Sequence, residues 1–220
     1  MALFDATTQA TPEPAKCCPL CPRLVAFRKA NQAAHPDWFN GAVPSFGTDG
    51  ARLLIVGLAP GLKGANRTGR PFLGDYAGEL LYRTLLNVGL ARGRHDVAAP
   101  EALELVDCMI SNTVRCVPPQ NKPTPEEIRT CRRFLEPALA ALPRLRVVVA
   151  LGQIAHQSAV KALGGKLPKY RFAHLADHML PSGVRLIDSY HCSRYNTNTG
   201  VLTTEMFEDV VGKAKKLAGI

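Results

Sequence analysis

Residues 52–78 read RLLIVGLAPGLKGANRTGRPFLGDYAG. The stretch opens on Leu53-Leu-Ile-Val56, an apolar run without polar alternation. That is the pattern of a strand covered on both faces. A glycine-rich loop follows, and the residues from 76 to 91 then have helical character. Strand, loop and helix in this order mark a parallel α/β unit, whose ligand sits beyond the carboxyl end of the strand.

The loop is not a phosphate cradle. A P-loop needs Lys and then Ser or Thr after its last glycine, whereas Gly64 is followed by Ala65-Asn66. A dinucleotide fingerprint needs a second glycine where Ala59 stands. Pro60 also removes a backbone N–H that an anion would use. The loop is therefore expected to hold some other ligand.

Three more apolar runs, 109–113, 146–151 and 184–188, have the same two-sided character. Helical stretches separate them. Thr124-Pro-Glu-Glu127 is a capping box with proline at the first helical position, opening a helix to about residue 141. Residues 152–163 and 204–217 complete the set, the last with acidic residues early and lysines late, as the helix dipole favours. The reading is one α/β domain, 16–220, with a central four-stranded parallel sheet and helices on both faces. Residues 1–15 read as a flexible tail, and 164–183 as an irregular excursion.

The chain has 220 residues, 46% of them hydrophobic, enough for one sizeable core. Its net charge of +9 favours an anionic partner such as nucleic acid. The sequence has no run of 18 or more apolar residues, so no membrane-spanning helix is expected. The first 16 residues lack the basic start and apolar stretch of a secretory signal. A cytoplasmic, nucleoid-associated location is expected, so disulfides are not.

The cysteines then read as ligands. Cys18-Pro-Leu-Cys21 is a C-x-x-C pair, and Cys116 and Cys131 bracket fourteen residues. Two such pairs suggest one four-thiolate site for zinc or an iron–sulfur cluster, and spacing does not choose between them. Cys17 is the alternative to Cys18, while Cys108, inside an apolar run, reads as core.

These segments together resemble the uracil-DNA glycosylase superfamily, and within it the branch called family 5, or type b. The resemblance is carried by Gly57-Leu-Ala-Pro-Gly61, Gly64 through Phe72, Gly74-Asp75, Asn112-Thr-Val-Arg-Cys116, Pro118 through Pro123, His191 through Gly200, and Cys18-Pro-Leu-Cys-Pro-Arg-Leu24. It covers the chain from about residue 16 to the end. It implies a monofunctional glycosylase of base excision repair and one four-iron four-sulfur cluster on Cys18, Cys21, Cys116 and Cys131. The partner it implies is double- or single-stranded DNA containing uracil or related lesions, bound by a monomer. Leu58 stands where the neighbouring family 4 usually has Glu, and Asp75 is the obvious replacement. Cys192 stands where the branch commonly has Pro, which suggests a less rigid loop and a reactive thiol.

The residues suit that chemistry. A base must leave the stack to be cut, and an aromatic face, here Phe72, replaces the lost stacking. Gly57 and Ala59 would bring backbone close to the base. Asn112 would read the uracil edge and reject cytosine by mismatched donors and acceptors. His191 would hydrogen-bond the developing charge at uracil O2. Asp75 would orient or deprotonate the attacking water, helped by Asn121. Arg67, Arg70, Arg115, Lys122 and Arg194 would meet phosphates, and Arg194-Tyr195-Asn196 would enter the minor groove. Rival readings are a non-catalytic iron–sulfur protein that binds lesions and a zinc-stabilised nucleotide-binding domain.

Overall fold

A computed structural model describes residues 13–220. The expected tail falls mostly outside the described residues. Of its last three residues, Pro14 is buried and Glu13 pairs with Arg115.

The chain runs α1 (Pro22–Ala34), β1 (Phe46–Gly47), β2 (Leu53–Gly57), α2 (Ala65–Thr68), α3 (Tyr76–Asn87), β3 (Ala91–Gly93), β4 (Leu103–Leu105) and β5 (Cys108–Asn112). It continues α4 (Pro125–Ala140), β6 (Val147–Leu151), α5 (Gln153–Ala162), β7 (Asp177–Met179), β8 (Arg185–Ser189), α6 (Arg194–Asn198) and α7 (Thr204–Ala218). The main sheet has strand order β1-β5-β2-β6-β8-β7. The four inner strands are parallel, and they are the four that the apolar runs mark.

The strand count differs from the expected four. Two antiparallel edge strands, β1 and β7, extend the sheet to six, and β3 and β4 form a separate hairpin. Each of these strands is two or three residues long, too short to show a period in the sequence. β7 lies inside the stretch expected to be irregular.

Both faces of the inner strands are covered. Leu53, Ile55, Ile110, Val149 and Ile187 pack with α3 and α7 through Leu81, Leu85, Phe207 and Val211. Leu54, Val56, Met109, Val148 and Leu186 pack with α4 and α5 through Leu135, Leu139, Ala155 and Ala159. Burial on both sides explains why these strands read as unbroken apolar runs. Cys108 is fully buried in the first of these cores, as expected.

Helix α3 stops at Asn87 rather than near 91. Gly89 takes a left-handed φ of 73°, and the chain turns there into the hairpin. Helix α4 starts as expected: Thr124 Oγ1 accepts from Glu127 N at 3.2 Å, and Glu127 Oε2 accepts from Thr124 N at 2.8 Å. Glu127 also pairs with Arg23 at 2.7 Å, which ties α4 to α1. Helix α1 itself was not legible in the sequence. Its buried face carries Leu24, Arg28 and Asn31, so the usual apolar stripe is largely polar.

Candidate active site

Three strand ends deliver the site. The chain leaves β2 into the glycine loop, β5 into the segment 113–121, and β8 into 190–193. These segments border a cleft of about 630 Å³, lined among others by Leu58, Gly61, Gly64, Asp75, Asn121, His191 and Arg194. It lies where open α/β sheets place their ligands. The cleft therefore brings together Asp75, Asn121 and His191, which are far apart in sequence.

Asp75 sits at the N-cap of α3. Its Oδ1 accepts from Gly78 N at 3.0 Å. That bond satisfies one free donor of the helix start and fixes the carboxylate. Burial raises the Asp75 pKa above the usual carboxylate value, against the lowering effect of the backbone bonds. The glycines of the loop make room for this group. A Cβ on Gly64 would lie 2.5 Å from Asp75 Oδ2, and one on Gly61 would lie 3.0 Å from it. Side chains there would displace the carboxylate.

His191 follows β8. Withdrawal from solvent pushes its pKa down to about 4, so the imidazole is neutral at neutral pH. Its ring lies 6.2 Å from that of Phe72, with the two planes 27° apart. The side chain of Asn196 donates from Nδ2 to the His191 carbonyl at 2.8 Å. So Asn196, expected at DNA, is engaged in holding the histidine loop. Cys192 is wholly buried in the core, and burial pushes its thiol pKa up. The expectation of a reactive thiol in a loose loop is corrected: Cys192 anchors the loop.

Phe72 and Asn112 do not line the open cleft. They meet at Gly57, where a Cβ would come within 2.5 Å of both Asn112 Oδ1 and Phe72 Cζ. Asn112 is 2% exposed, and its Oδ1 has no hydrogen-bond partner among the described residues. A buried amide oxygen left open is costly unless a ligand completes it. Ala59 packs away from the cleft, against the cysteine cluster.

Of the expected phosphate contacts, Arg194 lines the cleft and Tyr195 is 74% exposed beside it in sequence. Arg67 is exposed, with its Nε donating to Lys63 O at 2.9 Å. Lys122 is exposed too. Arg115 is a correction. Its side chain is 1% exposed and donates to Glu13 at 2.7 Å, so it cannot reach a phosphate. Arg70 is similarly engaged, stacked 4.0 Å over Phe46 and bonded to the Pro100 carbonyl. The sequence reading missed Lys63 and Tyr76 as cleft residues. Tyr76 follows Asp75 directly and carries Arg194 at 5.0 Å over its ring, but nothing local distinguishes it from a helix surface tyrosine.

The four cysteines of the two pairs gather in a second region. Cys18, Cys21, Cys116 and Cys131 line one small apolar cavity with Leu24, Ala42 and Val114. Arg28 Nη1 donates to Cys116 Sγ at 3.4 Å, and Arg115 N donates to Cys131 Sγ at 3.3 Å. Burial raises the Cys116 pKa to about 11 and the Cys131 pKa to about 12. Four soft sulfurs from three segments, two already receiving N–H donors, fit a thiolate-held metal group.

The matching family model is that of the uracil DNA glycosylase superfamily, over residues 44–215. The chain belongs to this superfamily. It is similar to the type-5 uracil-DNA glycosylase of Thermus thermophilus, 46% identical over 209 residues, covering 92% of this chain and 94% of the relative. It is also similar to the type-5 uracil-DNA glycosylase of Mycobacterium bovis, 42% identical, with 92% and 79% covered. A third relative is the type-5 uracil-DNA glycosylase of Pyrobaculum aerophilum, at 37% identity, with 92% and 89% covered. Among the described residues no helix is long and apolar enough to cross a membrane.

Proposed function

We propose that this chain is a monofunctional DNA glycosylase that excises uracil and leaves an abasic site for base excision repair. The observation that carries the reading is the meeting of Asp75, Asn121 and His191 in one cleft, with Asn112 paired to Gly57 at the start of the same loop and its buried oxygen without a partner among the described residues. The names of the type-5 relatives support it.

The target base flips out of the stack at a cost of a few kcal/mol. Phe72 provides a face for it, and Asn112 Oδ1 accepts from uracil N3–H. Cytosine has no N–H there and would leave that oxygen unpaired. Gly57 is needed because any side chain would fill the space at Asn112 and Phe72. As the bond from the sugar C1′ to the base N1 breaks, its electron pair leaves with the base. Neutral His191 donates a hydrogen bond to the charge that develops on O2. Asp75 takes a proton from water, whose oxygen adds to C1′, and its negative charge steadies the cationic sugar. Asn121 helps to position that water. Recognition through backbone and few side chains also admits hypoxanthine and some damaged bases.

Arg194, Lys63 and Arg67 meet the phosphates of double- or single-stranded DNA, and Tyr195 fills the gap in the stack. Cys18, Cys21, Cys116 and Cys131 hold a four-iron four-sulfur cluster. That cluster ties α1, the segment after β5 and α4 together and supplies no step of the cleavage. The protein acts as a monomer in the cytoplasm.

The test is base release from an oligonucleotide with one deoxyuridine, paired in turn with guanine and adenine, followed by alkali. Alkali-dependent cleavage is the expected outcome, and a lesion panel including deoxyinosine then maps the range. A folded protein that binds this DNA without cutting it would replace this reading with that of a non-catalytic lesion binder.

A further inference from the structure

A third cluster of ligand-type side chains lies apart from both regions. His156 on α5, His178 on β7 and Asp188 on β8 each bring one ligand atom within 4.8 Å of the others. None of the three lines the cleft. The topology explains the meeting. His178 pairs across from Leu186, so it shares a sheet face with Leu186 and with Asp188 two residues on. That face is the one α5 covers. His156 Nδ1 lies 2.8 Å from Asp188 Oδ1, and His178 Nε2 lies 3.6 Å from Asp188 Oδ2. The side chains of His156 and Asp188 are fully buried, and that of His178 is 18% exposed.

Two details point to a ligand. His156 Nε2 lies 3.1 Å from the Tyr170 carbonyl and so donates its proton there. A metal-bound histidine commonly spends its second nitrogen on such an acceptor, leaving the other lone pair for the ion. Here the other nitrogen, Nδ1, faces Asp188. In addition, Asp188 Oδ2 is buried and has no hydrogen-bond partner among the described residues. An anionic oxygen in that position wants a cation.

We propose that His156, His178 and Asp188 form a binding site for a divalent metal ion of the zinc class. Two imidazoles and a carboxylate are the borderline ligands such an ion takes. Ligands at zinc distances on a tetrahedron stand roughly 3.3 Å apart; the two imidazoles approach different oxygens of Asp188, at 2.8 Å to Oδ1 and 3.6 Å to Oδ2, and one atom from each residue lies within 4.8 Å of the others. A cavity of about 330 Å³ lies on the His156 side of the cluster, lined also by Tyr170, Arg171 and Phe172. On binding, His178 Nε2 gives up its bond to the Arg171 carbonyl, at 3.0 Å. The ion would clamp the irregular segment 164–183 onto β8, three residues before His191. Without an ion, one proton is shared across the short His156 Nδ1–Asp188 Oδ1 contact while Nε2–H donates to the Tyr170 carbonyl. The experiment must separate these two states.

Purified full-length protein, with its iron retained, is stripped of loosely held ions by a mild chelator and titrated with Co²⁺ and then Zn²⁺. One equivalent of Co²⁺ is expected in addition to the iron. Its visible absorption should lack a thiolate charge-transfer band, since every ligand is nitrogen or oxygen, and Zn²⁺ should displace it. Zn²⁺ should also raise the melting temperature. His178→Ala, at a partly exposed edge position, should abolish the extra equivalent and the zinc-dependent shift while keeping the iron content. Asp188→Asn should do the same if it folds. Failure of the wild-type protein to bind the extra equivalent at micromolar Co²⁺ overturns the site and leaves a hydrogen-bonded histidine–carboxylate pair. Binding with a thiolate band, or undiminished binding in His178→Ala, also overturns it.

Discussion

The loop after β2 serves two regions that differ in almost every physical respect. Leu58 lines the open cleft, while its neighbour Ala59 packs on the cysteine cluster. The cleft borders Asp75, Asn121, His191 and Arg194, polar groups whose hydrogen bonds leave capacity for a ligand. The cysteine pocket is lined by apolar groups, and two of its sulfurs already receive N–H donors. One region keeps chemistry available at some cost to stability. The other removes sulfur from solvent and ties together segments that share little else. Substitutions in the cleft should therefore change rates and spare the fold, and substitutions in the cysteine pocket should do the reverse.

Asp75 is the sharpest place to break that contrast, because it both caps α3 and faces the cleft. Asp75→Asn keeps a good capping residue and loses the base. Single-turnover excision should fall by roughly 10²- to 10⁴-fold with the melting temperature nearly unchanged. Asp75→Ala should lose a similar rate and also about 1 kcal/mol of stability, read from urea unfolding. Equal stability of the two variants would show that the cap contributes nothing.

His191→Ala comes next. Loss of one preorganised donor should cost about 10²- to 10³-fold in excision rate, with DNA binding retained in a gel-shift assay. In the other region, Cys116→Ser should lower the melting temperature and the iron content by direct assay, and any residual excision should track the folded fraction. A fully stable Cys116→Ser protein would mean that the pocket holds itself together without its sulfurs.

The pH dependence tests the same contrast without a substitution. If Asp75 is the base, as proposed, the excision rate should fall as pH drops through a midpoint above the ordinary 3.8. Asp75→Asn should flatten that limb. His191 acts on stability in the same direction. Its pKa is depressed from 6.5 to about 4, so the unfolded chain binds the extra proton in that window. The stability is complete above pH 6.5 and is lost as pH falls toward 4. His191→Gln should reduce this slope in unfolding measured across the same range.

The difference between what was legible and what was not follows the range of the forces involved. The four inner strands, the capping box of α4 and the C-x-x-C pair are local patterns, and burial on both faces writes itself into consecutive residues. Asp75, Asn121 and His191 stand out in the sequence only one by one, as residues suited to the chemistry, and the cleft brings these three together while Asn112 lies buried against Gly57. Sequence could not reveal that Gly61 and Gly64 clear space for a carboxylate eleven or more residues away. Nor could it distinguish Arg67 on the surface from Arg115 buried against Glu13, because a charge shows nothing of its burial until its partner arrives.

By itself the sequence determined a parallel α/β sheet, a glycine loop unsuited to phosphate and a four-cysteine set. Each depends on period, spacing or residue type, which a chain carries wherever it folds. Tertiary structure alone decided that Asn196 holds His191, that Cys192 is core, and that His156, His178 and Asp188 meet on one face of the sheet. Those are contacts between residues set at distant or patternless positions. They exist only once the strands are paired in register and the helices have covered them.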